Sequence, residues 1–102
     1  MLTRTEVKLL RKAYKEGKLT LQGGECWGTK GGKRCLAAFV AELRGAKFDV
    51  GKVGLTISYS ELSIALRALE DVAEWFGLCT VDYLEALETK DPKIKAKLEG
   101  TK

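Results

Sequence analysis

The sequence lacks histidine and asparagine entirely, and it has one proline, one methionine and one glutamine. Without histidine, the chain cannot form a Ser-His-Asp or Cys-His catalytic site or a metal site that uses imidazole. Few Asn, Gln and Met residues beside abundant Lys and Glu are also typical of thermophile proteins. We therefore favour a binding function over an enzymatic one, and we expect no cofactor.

Long hydrophobic runs are missing as well, since apolar stretches such as Leu36–Ala41 are far shorter than the roughly 20 residues of a membrane-spanning helix. The first residues, MLTRTE, begin a charged amphipathic helix instead of a signal segment, so we expect a cytoplasmic protein that does not contact membranes. The chain has 102 residues, of which 45% are hydrophobic and 31% are charged. This predicts one domain over residues 1–102.

Apolar residues recur at helical intervals, which predicts a mainly α fold, a small single-domain bundle of four to five helices. Four capping signals predict helix starts, at Thr3 with Glu6, Ser58 with Glu61, Thr80, and Asp91 with Pro92. Three glycines predict helix ends, at Gly17, Gly45 and Gly77. We expect a helical core over residues 3–89 and a short basic helix over 92–99 that Ile94 and Leu98 attach to it. Residues 18–22 and 46–57 would form at most a short β-hairpin.

Charge is distributed unevenly along the chain. Residues 1–52 carry 12 basic and 5 acidic side chains, residues 53–89 carry 1 and 7, and residues 90–102 carry 5 and 2. The separation indicates either one basic and one acidic surface with different partners, or simply solvated helix faces. In the first predicted helix, four cations lie on or beside the face opposite the apolar one: Lys8, Arg11, Lys12 and Lys15.

Residues 23–34, GGECWGTKGGKR, combine five glycines, three cations and a tryptophan directly before a helix. Backbone N–H groups of such a turn can hold an anion, Lys30, Lys33 and Arg34 supply charge, and Trp27 could stack on a base. The segment is not a Walker motif, because Trp27 stands in place of the first glycine. The alternative is a surface turn with solvated cations and Trp27 packed on the core. The stretch 23–38 resembles small uncharacterised bacterial and phage domains, a resemblance that implies no function.

Cys26 and Cys35 flank this loop, and Cys79 lies between two predicted helices. A Cys26–Cys35 disulfide would hold the loop closed. The other interpretation is that Cys35 and Cys79 are small buried residues. Three cysteines at these spacings, without histidine, do not fit structural zinc, so we predict no metal site. A catalytic thiolate at Cys35 would need activation by the neighbouring cations or a helix N-terminus.

The strongest predicted helix covers residues 59–76. One side is an apolar stripe formed by Leu62, Ala65, Leu66, Leu69, Val72, Ala73 and Phe76. The other side presents Glu70, Asp71 and Glu74, with Arg67 placed to pair with Glu70 or Asp71. Trp75 lies off the stripe beside these acids, where it either packs against the terminal helices or is exposed, and an exposed tryptophan rimmed by acids would mark a protein contact.

Two functional hypotheses follow. The leading one is a non-enzymatic binding or regulatory protein that contacts an anionic partner through the basic N-terminal helix and the loop 23–34. That partner would be nucleic acid, a nucleotide or an acidic protein surface. The alternative is a protein–protein interaction module, or a homodimer, that uses the acidic helix 59–76 and Trp75. Phosphate-dominated binding would weaken steeply with salt.

Overall fold

A computed structural model describes residues 1–21, 27–29, 31–52 and 54–100. These ranges contain five α-helices and one antiparallel hairpin, which confirms the predicted mainly α fold. The elements are α1 (Arg4–Lys15), α2 (Leu36–Leu43), β1 (Phe48–Val50), β2 (Leu55–Ile57), α3 (Leu62–Trp75), α4 (Thr80–Glu88) and α5 (Pro92–Glu99). A short 3-10 helix, Tyr59–Glu61, precedes α3. Across the described ranges, every helix is too short or too polar to traverse a bilayer.

The core is built around the packing of α2 against α3. Almost all side chains of α2 are apolar, and Ala38, Val40 and Ala41 have no exposed surface. The buried face of α3 is centred on Ala65 and Ala68, small residues that let the two helices approach closely.

One member of the predicted α3 stripe is exposed. Leu66 is 46% exposed, so its assignment to the buried face is wrong. The buried face of α3 lies away from Leu66 and includes Ala68 and Asp71.

Two helix starts form as predicted. At α1, Thr3 Oγ1 accepts a hydrogen bond from the backbone of Glu6 (3.1 Å), and Glu6 Oε1 accepts one from the backbone of Thr3 (2.9 Å). At α5, Asp91 caps the helix by accepting from the backbone of Lys93 (2.9 Å), and Pro92 is the first helical residue. Both caps are local, because donor and acceptor lie within three residues of each other.

Two other predicted caps are wrong. Ser58 makes no capping hydrogen bond, and the carboxylate of Glu61 instead accepts from the backbone N–H of Lys47 (2.8 Å) and from Ser58 Oγ (3.2 Å). Glu61 thus connects the hairpin segment to the start of α3. At α4 the capping position is held by Cys79, without a side-chain hydrogen bond, and Thr80 is the first helical residue.

The hairpin differs from the predicted one in the segments that form its strands. Both of its strands come from residues 46–57, with Phe48 paired to Ile57. The described residues 18–21 do not join it. Leu19 instead forms an isolated bridge with Arg34, and Thr20 N donates to Arg34 O (2.9 Å). The chain after α1 is thereby held against the loop that precedes α2.

The C-terminal helix docks as expected. Ile94 is 3% exposed and Leu98 is fully buried. Helix α5 packs beside α1, and Arg11 Nε donates a hydrogen bond to Lys97 O (3.1 Å). This docking brings cations of α5 next to those of α1.

Candidate anion-binding site

One face of α1 carries a continuous row of cations, which we call the basic face: Arg4, Lys8, Arg11, Lys12 and Lys15. Their spacings of three, four and seven residues place them on one side of the helix. All are exposed except Arg11, which is half-buried. From Arg4 to Lys15 the row extends about 17 Å at the helical rise per residue. Sequence reasoning missed Arg4, although its position four residues before Lys8 is the signal that finds it.

The charges of the basic face are not neutralised by ion pairs in the described part of the chain. The ion pairs found there use other cations: the amino group of Met1, Lys18, Arg34, Arg44 and Arg67. The basic face therefore presents unbalanced positive charge to solvent, which is the electrostatic requirement for an anionic ligand.

A groove of about 1000 Å³ runs along the basic face. All five cations of the basic face contribute to its walls, and Leu2, Val7 and Trp75 provide apolar surface. Glu16 and Glu74 are the acidic residues that line it. Trp75, which the sequence placed with the acidic helix surface, thus lies in the same groove as the cations of α1.

Cations of two helices lie over the indole ring of Trp75. The Arg11 guanidinium carbon is 5.4 Å from the ring centroid, and Lys97 Nζ is 5.0 Å from it, both within the range of cation–π attraction. Lys97 Nζ also donates to the carbonyl oxygen of Trp75. These contacts fix Arg11 and Trp75 relative to each other at the edge of the groove.

The described cations of the glycine-rich loop, Lys33 and Arg34, line a smaller pocket of about 420 Å³ together with Lys18, but Arg34 is paired within the fold. Arg34 turns towards α2 and forms a bidentate pair with Glu42, through Nε (2.7 Å) and Nη2 (3.1 Å), while Nη1 donates to Gly32 O. The hydrogen bonds that Arg34 donates to the Glu42 carboxylate raise the pKa of Arg34 above its ordinary value. Lys33 is exposed, and Lys30 lies outside the described residues. The charge of Arg34 is therefore balanced within the fold.

Trp27 is half-buried and packs against the core, with its ring centroid 5.8 Å from that of Phe48. Its carbonyl oxygen accepts from Cys35 N (2.8 Å), which ties the loop to the start of α2. This packing leaves only part of the indole for contact with a base. Trp27 and Lys33 also lie outside the lining of the groove beside α1.

The predicted acidic surface is divided by the fold. Asp71 is only 6% exposed, and its carboxylate accepts from Arg44 Nη1 (2.7 Å) and the Met1 amino group (2.9 Å). Burial raises the pKa of Asp71, but the hydrogen bonds and the charge attraction of these two cations together outweigh burial, so the net pKa is lowered. Glu70 and Glu74 are exposed, and Glu74 faces the basic groove. A protein contact through these residues and Trp75 stays a prediction.

The two described cysteines have different environments. Cys35 occupies the capping position of α2, where its sulfur accepts from Ala38 N (3.4 Å). Burial raises the pKa of the Cys35 thiol above its ordinary value, and backbone hydrogen bonds offset only part of this. Cys79 is exposed, so the expectation that it is buried is wrong: it lies in the turn before α4. Cys26 lies outside the described residues, and the predicted disulfide stays a prediction.

Thiol labelling of the reduced protein should distinguish these environments. At neutral pH we expect Cys79 to react at the rate of a model-peptide thiol and Cys35 to react at least about tenfold more slowly, because a buried thiol with a raised pKa forms little thiolate. The measurement is mass spectrometry of labelled peptides over time, with Cys79→Ser as the control. Rapid labelling of Cys35 would contradict this and revive the catalytic hypothesis.

In the described ranges, no group of three or more Cys, Asp or Glu residues is arranged to hold a metal ion. Comparisons with protein-family models, curated proteins and solved structures find no match to this chain.

Proposed function

We propose that this protein is a non-enzymatic nucleic-acid-binding protein whose contact surface is the basic face of α1. The observation that carries the proposal is the row of five cations that make no ion pair in the described residues and border one groove. Lysine and arginine side chains in such a row neutralise phosphates and release the counterions bound to nucleic acid.

The shape of the row favours a linear polyanion over a small ligand. Neighbouring cations one helical turn apart have Cβ atoms about 5–6 Å apart, which is comparable to the spacing of successive phosphates along a strand. A free nucleotide would contact only one end of a row that is about 17 Å long. An acidic protein surface would supply carboxylates, but not at a regular spacing.

The cations of the basic face differ from Arg34 of the glycine-rich loop in their ion pairing. Arg34 of the loop is used internally by Glu42, whereas the cations of α1 have no carboxylate partner among the described residues. We therefore place the main contact on α1 and give the loop, through Lys30 and Lys33, a smaller part.

Salt-dependent binding tests this proposal. Fluorescence anisotropy with a short labelled oligonucleotide should show affinity that falls steeply between about 50 and 200 mM salt. Replacing Lys8, Lys12 and Lys15 together with Gln should weaken binding at least about tenfold at low salt. The slope of log K against log salt should decrease by about 2, since each lost phosphate contact removes about 0.7–0.9.

The matched control removes the same charge elsewhere. Lys47, Lys52 and Lys90 are exposed and lie outside the lining of the groove beside α1, and replacing all three with Gln should change the affinity by no more than about twofold, since exposed charges away from the contact are screened. Equal losses in the two triple variants would mean that only net charge matters, and a salt-independent interaction would reject nucleic acid as the partner. Lys30→Gln with Lys33→Gln measures the contribution of the loop, which we expect to be smaller than that of α1.

A further inference from the structure

We infer that the groove beside α1 selects single-stranded over duplex nucleic acid, with a phosphate held by Arg11 and an unpaired base packed against Val7 and Trp75. This inference rests on the proposed function and adds the form of nucleic acid that the site takes. It follows from the apolar surface of the groove and from the fixed position of Arg11.

The apolar surface is the first argument. Val7 and Trp75 are half-buried and line a groove whose rim is cationic. Both side chains pack against the core, and the part of each that stays exposed gives the groove an apolar surface that phosphates alone would not use. An unpaired base has an apolar face, and packing it on an aromatic residue is the usual source of affinity for single strands.

The position of Arg11 is the second argument. Its Nε donates to Lys97 O, and its guanidinium lies over the ring of Trp75. The two remaining nitrogens, Nη1 and Nη2, have no hydrogen-bond partner in the described part of the chain. A guanidinium fixed in this way loses little conformational freedom when its two remaining nitrogens take a phosphate. Because Arg11 contacts Trp75, the phosphate and the base would be held side by side.

A duplex cannot use both features together. Its bases are stacked and paired inside the helix, so its outer surface offers phosphates, sugars and the edges of base pairs but no base faces. The exposed lysines of the basic face would contact a duplex through charge alone. A bound duplex would then leave Val7 and Trp75 uncovered, so single strands should bind more tightly than duplexes at equal salt.

Competition between the two forms of one sequence tests this directly. An oligonucleotide should bind at least about tenfold more tightly alone than after annealing to its complement, at the same salt concentration. Trp75→Leu should weaken single-strand binding about tenfold and change duplex binding by less than about twofold. Arg11→Lys, which keeps the charge, should weaken single-strand binding about fivefold and leave the salt slope unchanged.

Cross-linking of the wild-type protein provides a measurement that does not depend on the folding of a variant. A single strand that carries 5-iodouracil should give, on irradiation, an adduct on the peptide that contains Trp75 or on residues 2–7. An adduct on Trp27 alone would overturn the placement of the base.

The outcomes separate the two proposals. If neither form binds, or if binding is independent of salt, the proposed function fails. If both forms bind with the expected salt dependence but the duplex binds as tightly as the single strand, the proposed function stands and the inference about single strands is wrong.

Discussion

Replacing Arg44 with Met should lower the free energy of unfolding by about 3 kcal/mol, because it removes the cation that two largely buried carboxylates share. Arg44 ends α2 and pairs with Glu6 of α1 through Nε (2.7 Å) and Nη2 (3.0 Å), and with Asp71 of α3 through Nη1 (2.7 Å). The side chains of Glu6 and Asp71 are only 13% and 8% exposed. Thermal unfolding should show a decrease in Tm of roughly 15 °C.

The matched control is Arg67→Met. Arg67 also approaches Asp71, as the sequence predicted, but its Nε is 3.5 Å away and its side chain is 71% exposed. An exposed i,i+4 pair of this kind contributes only about 0.3–0.5 kcal/mol. If the two variants lost the same stability, the network around Arg44 would not connect the three helices as described.

The same network predicts how stability depends on pH. The hydrogen bond from Arg44 lowers the pKa of Glu6, and the net pKa of Asp71 is lowered despite its burial. Both carboxyl groups therefore bind protons less readily in the folded chain than in the unfolded chain. Their stabilisation is complete at neutral pH and is lost as the pH falls below about 4 through the lowered folded-state pKa values. Arg44→Met should flatten this acid dependence in urea unfolding experiments.

Gly28→Ala should lower the free energy of unfolding by about 3 kcal/mol. Gly28 is buried, and an added Cβ would lie 2.5 Å from Leu55 Cδ1 and would collide with Lys33 O. Neither contact relaxes easily, because Leu55 is 3% exposed and Lys33 O already accepts from Thr29 N (2.8 Å). Overpacking against fixed atoms of this kind typically costs 1–3 kcal/mol. Chemical denaturation measures the loss.

Gly31→Ala is the appropriate comparison within the same loop. The nearest atom to its added Cβ would be Thr29 Oγ1 at 3.8 Å, an ordinary contact, and Gly31 is exposed. We expect the free energy of unfolding of the Gly31→Ala variant to stay within about 0.5 kcal/mol of the wild-type value. Similar losses for Gly28→Ala and Gly31→Ala would mean that backbone flexibility, instead of close packing, explains the glycines here.

Two errors in the sequence prediction occurred where separate segments of the chain meet. The spacing of Ser58 and Glu61 is right for a capping box, but Glu61 accepts from the backbone of Lys47 in the preceding hairpin segment. Likewise, the charge of Arg34 looks available in the sequence, and only the fold reveals its pairing with Glu42. In each case the competing partner lies beyond one or two helical turns, where local patterns carry no information.

The amino-acid sequence alone determined the mainly α fold, the ends of most helices and the row of cations along α1. These features depend on side chains within about two turns of each other, so periodicity and capping patterns are sufficient to find them. Only the tertiary structure decided which charges are left without partners and that Trp75 lies beside Arg11. Arg44 reaches Asp71 across 27 positions, and Arg11 reaches Lys97 across 86. Such contacts are created by the packing of helices, which no local spacing specifies.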